Sequence, residues 1–330
     1  MGLRHHVRSL TSAGVLCTIA LAGWSDSSYD MGTGVIGTGD TVNSTAGIEC
    51  DYTDNTFNDS ESVNATSTST WTCGATLREI TANGLPDHAV GTFPNPNNPN
   101  TIVEQDVSDT FTLAPVQSDS ATELGGPRGV TGYILNGVKI DAGTGGSCDD
   151  SGDDCDLADN SGSWNIEALS QTTFDFGTDD NNAHVQPGGS YHYHGMPVGF
   201  VAKRGGSSST MTLIGWAADG FPIYAAYGYS TADDASSAMA EMQGSYQHVE
   251  SVSDSRPSTD TYPLGTFSQD WIYVEGSGDL DECNGRTGVT PEFPEGIYHY
   301  FATTSYPFLQ RCVKGEVEAG AGVGGPPGAP

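Results

Sequence analysis

His192 and His194 alternate with Tyr191 and Tyr193 in the stretch Gly189-Ser190-Tyr191-His192-Tyr193-His194-Gly195. On a β-strand successive side chains point to opposite faces. Both imidazoles would share one face, with Cα atoms roughly 6.6 Å apart, and both tyrosines the other. Two rings so spaced can converge on one metal ion, whereas on a helix residues i and i+2 diverge. His184 lies just upstream, His299 sits in Tyr298-His299-Tyr300-Phe301, and His88 follows Leu85-Pro86-Asp87. Neutral imidazoles suit copper or zinc, and three of them with an open position make a reactive centre. Because Tyr-His-Tyr occurs twice, the fold is expected to bring the two strands to one site, with the tyrosines supporting the ligands. The plainer reading is a set of histidines buried for packing and hydrogen bonding.

Other chemistry is sparser. Asp219, Asp281 and Glu282 are candidate general bases or ligands, set against ordinary turn and surface roles. Cys148 to Cys155 encloses a run of aspartates, and hard oxygen ligands at this density suit calcium, although the spacing is not that of an EF-hand. Asp279-Leu280-Asp281-Glu282-Cys283 resembles the opening of a calcium-binding EGF module, but the closely spaced cysteines of such a module are missing. Tyr191, Tyr193, Trp216, Tyr224 and Tyr298 offer a possible carbohydrate-stacking face, against a core role. There is no Gly-x-Ser-x-Gly turn, no His-Glu-x-x-His and no phosphate-binding loop followed by Lys-Ser/Thr. His248 reads as exposed.

The 330 residues carry 42 acidic and 11 basic side chains, a net charge of −31. Such a surface repels phosphate backbones and anionic headgroups, which argues against nucleic-acid and membrane partners and leaves an unidentified small molecule or glycan. A basic start, an apolar run from Ala13 to Ala22 and Ala20-Leu21-Ala22 read as a secretory leader over 1–22, so the chain is expected to be secreted or periplasmic. The six remaining cysteines suggest three disulfides, and no Cys-x-x-Cys pair points to zinc. Of the roughly 15 pairings open to six cysteines, sequence neighbours give the simplest set: Cys50–Cys73, Cys148–Cys155 and Cys283–Cys312. With every cysteine so assigned, a blue-copper site has no thiolate ligand.

Residues 23–48 read as a flexible linker, 49–315 as one domain and 316–330 as a disordered Gly/Ala/Pro tail. Short polar and β-branched runs between Gly, Asn and Pro clusters predict a mainly β, antiparallel sandwich-like domain with long loops. Gly132 to Ile140 reads as a hairpin turning at Asn136-Gly137. Met211–Trp216, Trp271–Val274 and Gly296–Thr303 read as strands, Ser163–Leu169 and Ala235–Met242 as short helices. Beyond the two Tyr-His-Tyr stretches no repeat is visible.

Several blocks together resemble the bacterial YHYH-domain family from about Trp71 to Gly315. They include Asn83-Gly84-Leu85-Pro86-Asp87-His88, Asn182-Ala183-His184-Val185-Gln186-Pro187, Tyr191-His192-Tyr193-His194-Gly195, Asp219-Gly220-Phe221-Pro222-Ile223-Tyr224, Tyr298-His299-Tyr300-Phe301 and Arg311-Cys312-Val313-Lys314-Gly315. The acidic insert at Cys148–Cys155 and the polar segment near 230–260 depart from it. The resemblance implies an exported protein with a functional histidine motif and brings no settled reaction. Two readings follow: a copper- or zinc-binding protein, extending to a metalloenzyme of unspecified substrate, or a metal-free secreted binding or structural module with an acidic calcium loop.

Overall fold

The computed structural model describes residues 43–124 and 129–317. The expected leader, the linker up to residue 42 and the tail from 318 lie outside the described residues. Within the segment assigned to the linker, Thr45 is already buried and its N–H donates to Leu113 O.

Four strands form an antiparallel meander, β1 (Thr53–Asn58), β2 (Ala65–Cys73), β3 (Leu77–Ala82) and β4 (Val107–Thr112). Then follow β5 (Gln117–Glu123), β6 (Gly132–Ile134), β7 (Lys139–Ile140), β8 (Ser147–Cys148), β9 (Cys155–Asp156), β10 (Trp164–Asn165), β11 (Ala183–Val185) and β12 (Tyr191–Tyr193). After a single helical turn and a half, α1 (Val198–Lys203), come β13 (Leu213–Ala217), β14 (Pro222–Tyr224), β15 (Tyr227–Tyr229), β16 (Met239–Glu241), β17 (Tyr246–His248), β18 (Trp271–Tyr273), β19 (Gly285–Gly288), β20 (Ile297–Phe301) and β21 (Cys312–Gly315).

The meander packs on a mixed eight-stranded sheet. Alternation in β2 and β3 turns Trp71 and Ile80 inward. Trp71 stacks on Phe111, which meets Tyr133 edge-on, and its Nε1–H donates to Leu135 O at 2.8 Å. Arg78 is fully buried between the layers, its guanidinium 3.6 Å from the Trp216 ring centroid and donating to Thr45 O and Ile48 O.

The eight-stranded sheet is a palindrome, ordered β11-β12-β7-β6-β13-β14-β20-β19. Each half is a hairpin extended by a parallel strand and closed by an antiparallel one. The halves meet antiparallel where Tyr133 faces Trp216. The match reaches single bonds. Val138 N–H donates to the Asn136 side chain as Phe221 N–H does to Asp219. Tyr193 OH meets Asn136 as Tyr300 OH meets Asp219, and Tyr191 donates to Asp179 as Tyr298 does to Asp281. Asn182 and Asn284 close the turns before β11 and β19 with φ of 55° and 62°, a conformation asparagine tolerates better than most residues. The two Tyr-His-Tyr strands are therefore counterparts, with four strands between them. They are not two walls of one site, and the repeat reaches beyond the motif visible in the sequence.

Local expectations met mixed outcomes. The β6–β7 turn spans Leu135, Asn136 and Gly137 rather than two residues: Gly137 N–H bonds Ile134 O, and Gly137 has φ 85°. Its absent side chain also matters, because a Cβ there would lie 2.3 Å from Ala82 Cβ on the facing sheet. Ser163–Leu169 is not a helix. Trp164–Asn165 pairs with β8, and Trp164 packs on Phe267. Met239–Glu241, expected in a helix, pairs with β15. Segments this short pay helix nucleation without return, and pairing partners decide.

All six cysteines among the described residues are paired as sequence neighbours, Cys50–Cys73, Cys148–Cys155 and Cys283–Cys312. Cys283–Cys312 ties the loop before β19 to β21 across a separation of 29 residues. Replacing both with serine is expected to cost about 3–4 kcal/mol, from the loop entropy returned to the unfolded chain, as read by urea unfolding.

Candidate metal centre

β12 does what the alternation requires. His192 and His194 project from one face, and cross-strand pairing sets His184 opposite His192. His194 Nε2 lies 3.0 Å from both His192 Nε2 and His184 Nε2. Among the described residues, these three are the one group of His, Cys, Asp or Glu side chains able to hold an ion, their ligand atoms within 4.8 Å of one another.

The far ring nitrogens fix the chemistry. His184 Nδ1 is 2.9 Å from Phe176 O and His192 Nδ1 is 3.2 Å from Ser190 O. A carbonyl only accepts, so both Nδ1 atoms carry the hydrogen and both Nε2 atoms present lone pairs. A hydrogen on His194 Nε2 could satisfy only one of these neighbours. A proton added to the cluster would bury a charge, and burial holds the His192 and His194 rings well below the ordinary histidine pKa and the His184 ring below it, Lys139 adding to each shift. A cation at the centre satisfies all three lone pairs. Zinc with nitrogen ligands at about 2.0–2.1 Å in a tetrahedron spaces those nitrogens by about 3.3 Å, close to the separation seen here.

The centre opens on a cavity of about 340 Å³, lined by the triad, by Asn98 and Asn100 from a Pro/Asn-rich loop over residues 94–100, and by Asp141 and Gln186. Asn98 Nδ2 donates to Val185 O at 3.0 Å and to Phe176 O, the carbonyl that orients His184. Asn98→Ala is expected to lower metal affinity about 10–100-fold at unchanged stoichiometry, measured by competition with a chromogenic chelator.

Lys139, Asp141 and Gln186 were not picked out by sequence reasoning. In β7, Lys139 pairs with His192, and Asp141, two residues on, bonds through its N–H to Tyr193 O beside His194. Lys139 Nζ lies 3.1 Å from Asp141 Oδ2 and 2.7 Å from Gln186 Oε1, and Gln186 Nε2 donates to the same carboxylate oxygen. Strand parity carries the signal: Gln186 follows His184 by two, and Lys139 and Asp141 share a face beyond the turn.

The other expected ligands lie elsewhere. His88 Nε2 is 2.7 Å from Tyr193 OH, on the opposite face of β12, in a network of buried Asn136 and Asp87 that ends at Lys203 on the surface. His299 belongs to the other half of the sheet and is packed edge-on against Tyr224. Tyr191 and Tyr193 also face away from the centre, so they brace the strand and not the ligands. As a stacking face the aromatic set fails too, because Tyr191, Tyr193, Trp216, Tyr224 and Tyr298 are all buried. Asp219 is buried beneath Tyr300 OH, Phe221 N–H and Gly315 N–H, Asp281 caps the β19 turn under Tyr298, and Glu282 pairs with Lys314. None of the three reaches the triad. In the acidic loop, Asp149 accepts from Ser151 and Asp150 from Trp164 Nε1, and its carboxylates form no group of three that could hold calcium.

No helix among the described residues is long and apolar enough to cross a membrane. No curated protein and no solved structure matched the chain. The model of the YHYH protein family matches residues 108–315, which include both Tyr-His-Tyr strands, all three triad histidines and the whole palindromic sheet. The chain belongs to the YHYH protein family.

Proposed function

We propose that this chain is an exported metalloprotein that binds one copper or zinc ion through Nε2 of His184, His192 and His194, with a coordination position open to the cavity. The observation that carries this reading is the convergence of three buried Nε2 atoms, two of them fixed as lone-pair donors by carbonyls behind them. Three protein ligands with a free position are the arrangement of a catalytic site, whereas structural zinc sites close all four. Zinc held there would activate water for hydrolysis, and copper would support oxidation. Asp141, at the cavity wall beside His194, is placed to orient a polar small molecule. Three disulfides support an oxidising compartment.

Cobalt(II) loading tests the open position. The expected result is the intense visible absorption of a low-coordinate cobalt site that changes on adding azide. Weak octahedral bands, or a spectrum indifferent to azide, would contradict it.

A further inference from the structure

The two-fold repeat makes the second half of the sheet an internal control for the first. Register maps His184, His192 and His194 onto Arg286, His299 and Phe301. His194 N–H bonds Asn182 O as Phe301 N–H bonds Asn284 O. The residues that build the scaffold are alike in both halves: the Asn or Asp before the turn glycine, the aspartate under the first tyrosine, the left-handed asparagine. Those around the metal centre differ. Lys139, Asp141 and Gln186 map onto Pro222, Tyr224 and Gly288.

One ligand position survives. His299 is fully buried, and its Nδ1 lies 2.9 Å from Ile297 O, as His192 Nδ1 faces Ser190 O. Its Nε2 therefore presents a lone pair, and it has no hydrogen-bond partner. Across the strand pair stands Arg286, in the place of His184. Its Nη2 donates to Tyr229 O at 2.6 Å, its guanidinium lies 5.3 Å from the Phe301 ring centroid, and its Nε is buried without a partner. A guanidinium is a permanent cation tethered to the chain, so this half holds a positive charge beside its histidine without recruiting an ion.

We propose that the second half is a closed counterpart of the metal centre, with Arg286 standing in for the metal ion, and that His299 is a ligand position which Arg286→His with Phe301→His reopens as a second metal site. This rests on the metal reading of the triad.

The test titrates zinc(II) into the wild-type chain and the Arg286→His/Phe301→His variant by equilibrium dialysis. The expected stoichiometry rises from one to two, and His299→Ala in the variant background returns it to one. One equivalent in a folded double variant overturns the proposal and leaves the triad standing. No zinc in either chain overturns the metal reading, and the counterpart with it. The reciprocal variant, His184→Arg/His194→Phe, is expected to fold in chelator and to bind no zinc. If near-ultraviolet circular dichroism shows both variants unfolded, the halves are not interchangeable and the proposal fails.

Discussion

Replacing His192 and His194 together with alanine is expected to take bound transition metal from one equivalent to none while the fold persists. A lone imidazole on His184 cannot hold an ion against solvent. The strand itself is secured elsewhere, by Tyr191 and Tyr193 on the opposite face and by ladders to β11 and β7. Both rings project towards an existing cavity, so their loss is expected to cost the metal-free chain about 1–3 kcal/mol. Metal at a thousand times its dissociation constant adds about 4 kcal/mol to the wild type, a rise in Tm of roughly 10 °C. Calorimetry with and without chelator reads the difference. The wild type is expected to shift and the double variant not to. A variant that keeps a chelator-sensitive Tm would place the ion elsewhere.

Acid is expected to destabilise the metal-free chain steeply. Burial lowers His299 from 6.5 to about 3, and His184, His192 and His194 move the same way. Below pH 6.5 the unfolded chain binds protons that the folded chain refuses, so each such group removes about 1.4 kcal/mol per pH unit. For His299 this runs from 6.5 down to about 3. Asp219 has the opposite sign. Burial raises it from 3.8 to about 6, so the folded chain keeps a proton there that the unfolded chain has released. Its contribution is whole below 3.8, is lost as pH rises to about 6, and offsets one histidine in that window. His299→Leu isolates a single group outside the triad. Urea unfolding in chelator between pH 7 and 5 is expected to show an average slope shallower by about 1 kcal/mol per unit than wild type, because the unfolded histidine is only part-protonated above 6.5. An unchanged slope would mean that His299 is charged in the fold.

The alternation Tyr191-His192-Tyr193-His194 was enough to place two imidazoles on one face, but His184, His88 and His299 stood beside them as equal candidates, and only the strand pairing separates His184 from the other two. The alternation could not say what else shared the site, because partners across a sheet depend on topology. Repetition of Tyr-His-Tyr suggested convergence. The palindromic order turns that repetition into symmetry and sends His299 to the far half. Asp141 and Lys139 stayed hidden because β7 lies beside β12 only through a parallel pairing across some fifty residues, which no local pattern encodes. The disulfides were legible because all three close between neighbouring cysteines. Ser163–Leu169 and Ala235–Met242 misled because single turns carry little preference of their own and follow their tertiary contacts.

The most direct test of the central claim is the metal content of the tag-free wild-type chain by inductively coupled plasma mass spectrometry, measured as purified and again after dialysis against copper or zinc. One equivalent of copper or zinc per chain, absent from the His192→Ala/His194→Ala variant, is the expected result. No transition metal under either condition would contradict it and leave the three histidines as a metal-free cluster.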